Sequence, residues 1–223
     1  NKLAYTIIAL FTLCITSCSD EKNIFDSSSA NRMNAMLQQC KEILTGSENG
    51  WIFEYYPEDN KYGGFRFYMV FSKQGEVSIT AESPILESPG DQATSMYQIK
   101  GDMGPILSFD TYNHILHQFS DPNPDGLGYE GDYEFIILNV AKDKIELKGK
   151  KNGTKMQMIP LPNDMTWESY SSKLDKMIEA FPGFTMRLNV NGTTIEMEES
   201  EEIGRYQTCL LYTSPSPRDR TRS

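Results

Sequence analysis

From Gly50 onward, apolar and polar residues alternate with a period of two between short turns, the pattern of half-buried strands. Trp51-Ile52-Phe53-Glu54-Tyr55-Tyr56 predicts a strand stopped by Pro57. Phe65 to Phe71 predicts a second, with Phe65, Phe67, Met69 and Phe71 on one face. Lys73-Gln74-Gly75 turns the chain into a third, Glu76 to Ala81. After a loop holding Pro84, Pro89 and Gly90, Ser95 to Lys100 and Ile106 to Phe109 predict a pair joined across Gly101-Asp102-Met103-Gly104. Asp132 to Val140, Lys144 to Gly149 and Thr154 to Leu161 follow, with Ala141-Lys142-Asp143 and Asn152-Gly153 as the tight turns between them. About eight short strands with hairpin connections predict a mainly β fold. Such a meander curls into a calycin- or lipocalin-like antiparallel barrel, because closure removes exposed strand edges.

Two stretches switch to helical spacing. Ala30 to Leu44 places Met33, Met36, Leu37, Cys40, Ile43 and Leu44 three and four residues apart, and Gly46 closes it. Thr166 to Ala180 carries Trp167, Tyr170, Leu174, Met177, Ile178 and Phe181 along a face, ending at Phe181-Pro182-Gly183. A last hairpin, Phe184 to Val190 and Thr193 to Met197 about Asn191-Gly192, predicts the beginning of a further unit. The helix and barrel thus occupy residues 30–162, and a second, truncated unit residues 163–207.

The start of the chain has a different pattern. Lys2 precedes the apolar run Leu3 to Ile15, which is shorter than the about 20 residues a helix needs to cross a bilayer. It reads as a signal peptide over residues 1–17. Ile15-Thr16-Ser17-Cys18 has the form of a bacterial lipobox, which makes Cys18 the candidate lipid-attachment residue. Residues 18–29 are polar and Ser-rich and read as a tether. The acidic pair Asp20-Glu21 resembles the export signal of surface lipoproteins in Bacteroidetes. At the other end, Cys209-Leu210-Leu211-Tyr212-Thr213-Ser214-Pro215-Ser216-Pro217-Arg218-Asp219 resembles translated sequencing-adapter read-through, so residues 208–223 read as a non-native tail. With Asn1 in place of an initiator Met, this suggests a reading frame clipped at both ends.

Charge narrows the partners. The whole chain carries −10, and removing Lys2, Arg218, Arg220 and Arg222 together with Asp219 takes the body to −13. A surface so negative repels phosphate backbones, so nucleic acid is not an expected partner. Of the four cysteines, Cys14 leaves with the signal, Cys18 takes lipid and Cys209 lies in the tail. Cys40 is then alone and reads as a small buried hydrophobe.

Several motifs carry a family resemblance. They are Gly50-Trp51 before Tyr56-Pro57, Gly63-Gly64-Phe65, Leu107-Ser108-Phe109-Asp110-Thr111-Tyr112-Asn113, His117-Gln118-Phe119-Ser120-Asp121-Pro122, Gly131-Asp132-Tyr133-Glu134-Phe135 and Leu147-Lys148-Gly149-Lys150. Together they resemble the uncharacterised Bacteroidetes lipoprotein family numbered 4302 among domains of unknown function. The resemblance covers about Ser29 to Gln207, roughly the first half of a full-length member. It implies a secreted, lipid-anchored protein of the outer membrane. Members are often encoded beside starch-utilisation-type transport components and zinc metallopeptidases. It carries over no catalytic or binding residues.

Three constellations are candidates for chemistry. In Asp121 to Asp132, the oxygens of Asp121, Asn123 and Asp125 alternate, Gly126 permits a sharp turn, Leu127 offers a carbonyl, and Asp132 stands where a calcium loop has glutamate. The same residue types also make an ordinary hydrogen-bonded turn. His114 and His117 share a face if Asn113 to Phe119 is helical, and with Asp110 or Asp121 they form a candidate zinc set. On a strand they part, and the pair is structural. Trp51, Tyr55, Tyr56 and Tyr68 are the candidate aromatic binding patch, suited to sugar rings or a partner protein.

The expected function is a non-enzymatic binding or accessory lipoprotein of an outer-membrane nutrient-acquisition system, facing the cell surface. Its expected partners are the membrane, through the lipid, and a polysaccharide, a peptide or a neighbouring lipoprotein. An extracellular hydrolase using paired carboxylates, and a structural spacer for a missing C-terminal half, are the alternatives.

Overall fold

The first helix, α1 (Ser29–Leu44), starts where Ser28 is extended and its hydroxyl accepts from the Asn31 N–H at 3.2 Å. It ends at Thr45, whose N–H and hydroxyl both donate to the Lys41 carbonyl. Its apolar stripe buries Cys40 and Leu44. The computed structural model describes residues 28–82, 85–86, 88, 90–180, 185–200 and 205–208. The expected signal peptide, Cys18, nearly all of the tether, and the turn at Phe181-Pro182-Gly183 lie outside the described residues.

Nine strands form one antiparallel sheet: β1 (Trp51–Tyr55), β2 (Phe65–Phe71), β3 (Glu76–Ala81), β4 (Ala93–Met96), β5 (Gln98–Gly101), β6 (Pro105–Ser108), β7 (Glu134–Val140), β8 (Ile145–Gly149) and β9 (Lys155–Pro160). Their order is β4-β3-β2-β1-β9-β8-β7-β6-β5, so β1 lies between β2 and β9. The Phe53↔Phe67 and Phe53↔Met158 registers join the two halves of the chain. The sheet curls into a nearly closed meander barrel of the calycin kind, as the strand pattern predicts. The two edge strands, β4 and β5, are consecutive in sequence and separated only by Tyr97.

That edge corrects one expectation. Ser95 to Lys100 is not a single strand paired only with Ile106 to Phe109. The run starts at Ala93, pairs with β3 as far as Met96, bends at Tyr97, and then pairs with β6 from Gln98. Tyr97 holds the bend. Its N–H donates to the Gly75 carbonyl at 2.8 Å, and its hydroxyl to the Ser72 carbonyl at 2.9 Å. Burial pushes its phenol pKa up to about 12.

The inward faces of the strands fill the barrel. Trp51, Phe53 and Tyr55 from β1 meet Phe67 and Met69 from β2, Ile79 from β3, Phe135 from β7, Leu147 from β8 and Met158 from β9. Their rings meet edge to face, Phe53 on Phe135 at 5.2 Å and Tyr55 on Phe119 at 5.3 Å. α1 closes one end, where the Trp51 indole donates to the Leu44 carbonyl at 2.8 Å. The segment 109–133, which contains the one-turn helix α2 (His114–His117), closes the other. On the outer wall, α3 (Trp167–Glu179) packs Trp167 against Ile52 and Leu161 and stacks it on Tyr68 at 5.6 Å. A separate sheet contains β10 (Thr185–Val190), β11 (Thr193–Ser200) and β12 (Arg205–Thr208). Its first two strands are the expected hairpin, and β12 adds a strand that the pattern did not reveal. Residues 209–223, expected as most of the tail, lie outside the described residues.

Phe119 is fully buried and packs on Tyr55, Phe65, Phe67 and Tyr129. Phe119→Ala therefore lowers unfolding stability by about 3–5 kcal/mol, read as a lower urea midpoint. Tyr55→Phe keeps the ring, loses only the hydroxyl's bond to Asp132 O, and costs about 1 kcal/mol.

Candidate functional site

The segment that plugs the barrel between β6 and β7 gathers three of the motifs singled out in the sequence. Asn113 sets its geometry. It is 2 % exposed, and its Oδ1 caps α2 by accepting from the N–H groups of Ile115 and Leu116 at 3.2 and 3.4 Å. Its Nδ2 donates to Ala93 O and Ser95 Oγ, both at 3.2 Å, which ties the plug to β4. α2 then turns Ile115 and Leu116 into the core and leaves His114 exposed. His117 is buried, with Nδ1 3.1 Å from both the N and the O of Asn113. Its ring lies 5.1 Å from that of Tyr112 and 5.2 Å from that of Tyr133. The Tyr112 hydroxyl donates to Asp121 Oδ2 at 2.9 Å.

Close approach dictates the return of the chain toward β7. A Cβ at Gly131 would collide with the Tyr55 hydroxyl and with Phe119, and one at Gly149 with the Asp132 carboxylate. Asp132 is 3 % exposed and spans the β8–β9 turn, its Oδ1 accepting from the Lys151 N–H at 2.6 Å. Burial raises its carboxyl pKa, and the N–H groups of Lys151 and Asn152 offset part of that rise.

These placements settle where each sequence candidate sits. Asp121 binds Tyr112 and Asp132 holds the β8–β9 turn, while Asn123, Asp125 and Leu127 are exposed on the loop between them. Among the described residues, no three His, Cys, Asp or Glu side chains form a group able to hold a metal ion. The expected aromatic patch also divides. Trp51 and Tyr55 are 1 % and 0 % exposed and belong to the core, because both point inward from β1 with Phe53. Tyr56 and Tyr68 are half-buried, Tyr68 under Trp167. Cys40 is a buried free thiol, as its place on the stripe predicts, and burial raises its pKa.

Two carboxylates do share a groove on the outer wall. Glu54 and Glu146 line a hollow of about 330 Å³ with Tyr56, Leu138, Lys155 and Gln157. Gln157 donates to Glu54 at 2.8 Å, and Lys144 lies 2.5 Å from Glu146 and lowers its pKa. Glycoside hydrolysis requires one carboxyl held protonated and a second held ionised, and Lys144 favours the ionised form of Glu146.

The sequence matches a domain of unknown function (DUF4302) over residues 21–213. The chain belongs to the DUF4302 family. No curated protein and no solved structure matches it. Three of the motifs quoted above meet at the plug: Leu107 to Asn113 and Gly131 to Phe135 flank His117 to Pro122, and Asn113, His117 and Tyr133 are contacts between them.

Sequence reasoning missed Tyr112 and Tyr133 in this DUF4302 domain. They are 61 % and 44 % exposed, although a ring on a half-buried surface is normally turned inward. A signal was present. Each tyrosine stands next to a residue committed to the interior, Asn113 and Asp132, which leaves the ring facing outward.

Beside Tyr133, Glu134 binds Lys100 at 2.7 Å and Lys150 at 3.1 Å and accepts from the Ser108 hydroxyl at 3.1 Å. Lys100 foremost, then Lys150 and Ser108, pull its carboxyl pKa down to about 2. A carboxylate with a lowered folded-state pKa stabilises above its unfolded pKa, and that stability is lost as pH falls toward the folded value. Glu134→Gln is thus expected to cost on the order of 1–2 kcal/mol at pH 7, after discounting for solvent screening. In paired denaturant titrations, the gap between variant and wild type closes as pH is lowered from about 5 to 2.

Proposed function

We propose that this DUF4302 chain is a lipid-anchored accessory protein of the bacterial surface, held through Cys18, which recognises an extracellular polymer on the outside of its barrel. The filled interior is the observation that carries this reading. A lipocalin-like barrel that transports a small ligand keeps a cavity in its mouth. Here Phe53, Tyr55, Phe67, Phe119 and Phe135 occupy that space and are each at most 1 % exposed. Recognition is then left to the outer wall and to the end loops, which a rigid scaffold positions.

The lipobox ending at Cys18 and the acidic start of the tether support the anchor and its outward direction. Among the described residues, no helix is long and apolar enough to cross a membrane. The net charge of −10 disfavours anionic polymers. A place beside outer-membrane nutrient-uptake components follows from the family resemblance.

Detergent phase partitioning tests the anchor. Wild-type protein expressed in a host with lipoprotein processing enters the detergent phase and is labelled on intact cells, and Cys18→Ala moves to the aqueous phase. A Cys18→Ala variant that stays with the membrane overturns the reading.

A further inference from the structure

Most aromatic rings among the described residues are buried, which makes the exposed ones informative. The large apolar side chains exposed among the described residues include two aromatic rings, Tyr112 and Tyr133, and both lie against the same buried imidazole, His117. Each leaves much of its own ring in solvent. Neither is a loose surface side chain. Tyr112 is tethered through its hydroxyl to Asp121, and the Tyr133 carbonyl accepts from the Phe109 N–H at 3.1 Å. His117 is fixed by Asn113, which is itself bound to β4. The plug therefore holds two exposed rings in place before any ligand arrives, and pre-organisation of this kind lowers the entropic cost of binding.

We propose that Tyr112 and Tyr133, set on His117, form a binding platform for a neutral polysaccharide. This rests on the reading of the chain as a surface binding module and names its ligand class and contact residues. Pyranose rings present C–H faces to aromatic rings and hydroxyls to polar neighbours, and a tyrosine supplies both an apolar body and a polar tip. Asp121 lies at the Tyr112 hydroxyl as an acceptor, and the negative charge of the chain disfavours uronate or sulfate polymers. An extended peptide fits less well. A peptide adding as a strand is ruled out beside Tyr133, because β7, which follows it, is already paired with β6 on one side and β8 on the other.

Affinity electrophoresis in native gels cast with amylopectin, mixed-linkage β-glucan, galactomannan, polygalacturonate or gelatin tests the platform. The wild-type chain is retarded by at least one of the neutral polysaccharides. Tyr112→Ala and Tyr133→Ala each weaken that retardation by about tenfold, roughly the scale of one aromatic stacking contact. Met177→Ala, a change at an exposed apolar residue on α3, leaves it unchanged. Because Tyr112→Ala removes a plug contact, the wild type is also titrated with the soluble oligosaccharide of the retarding polymer. The tyrosine ring signals assigned to Tyr112 and Tyr133 should shift. Unchanged retardation in both variants, static ring signals, or retention by gelatin or polygalacturonate alone would each overturn the platform. Absence of retardation in every gel does so too, while the surface-anchor reading keeps its own test at Cys18.

Discussion

Closure of the barrel depends on one ladder, β1 against β9, which pairs Trp51 with Pro160 and Phe53 with Met158. The remaining ladders join strands that lie close in sequence, whereas this one closes a loop of roughly a hundred residues at the corresponding entropic cost. Without it the sheet would be two separate meanders, each with an unpaired edge open to aggregation. β1 also holds both ends. At its start the Trp51 indole binds the last turn of α1, and at its end the Tyr55 hydroxyl binds the Asp132 carbonyl in the plug. A five-residue strand thus sets the register of the sheet and anchors both covers. The outer face of the same strand offers Ile52 to Trp167, so α3 is registered by β1 as well.

Much of this architecture was legible because alternation is a local property. Phe65 to Phe71 and Glu76 to Ala81 are strands at the predicted residues, and Ser29–Leu44 is a helix within one residue of the predicted start. The bend at Tyr97 was hidden for a physical reason. Ser95 and Tyr97 keep the inward alternation through the corner, so the pattern records which face is buried and not which neighbour is paired. The plug was opaque for a related reason. Asp, Asn and Gly serve a cation loop and a hydrogen-bonded turn equally well, and the distant destination of Asp132 at Lys151 and Asn152 is not written in the local sequence. The aromatic residues of β1 were misassigned because alternation alone does not say which face is the interior.

The charged groups around the plug show how a polar surface is kept rigid there. Glu134 bridges Lys100 and Lys150, while Lys100 also reaches Asp110 at 3.3 Å and Lys150 reaches Asp102 at 3.7 Å. Each pair alone is a partly exposed bridge of small worth. Their arrangement matters more than their sum, because Lys100 is on β5, Glu134 on β7 and Lys150 follows β8. One carboxylate thereby cross-links the three elements that carry Tyr133 and the start of the plug.

A barrel can spend its interior on a ligand or on its own stability. A sheet of nine short strands with an incomplete closing edge gains most from the second choice. Rings packed edge to face supply burial and directional contacts together, and the nearly complete removal of Phe53, Tyr55, Phe67 and Phe135 from solvent leaves no space to bind anything else. The proposed recognition then falls to segments whose sequence the sheet does not constrain. The plug suits this purpose, since Ile115, Leu116 and Phe119 secure its inner side while its outer side is free to present Tyr112 and Tyr133. The same anchoring that seals the barrel holds the exposed rings in place. On the proposed platform, stability and recognition would be two faces of one segment, and substitutions on its outer face would be the ones able to change a ligand without opening the core.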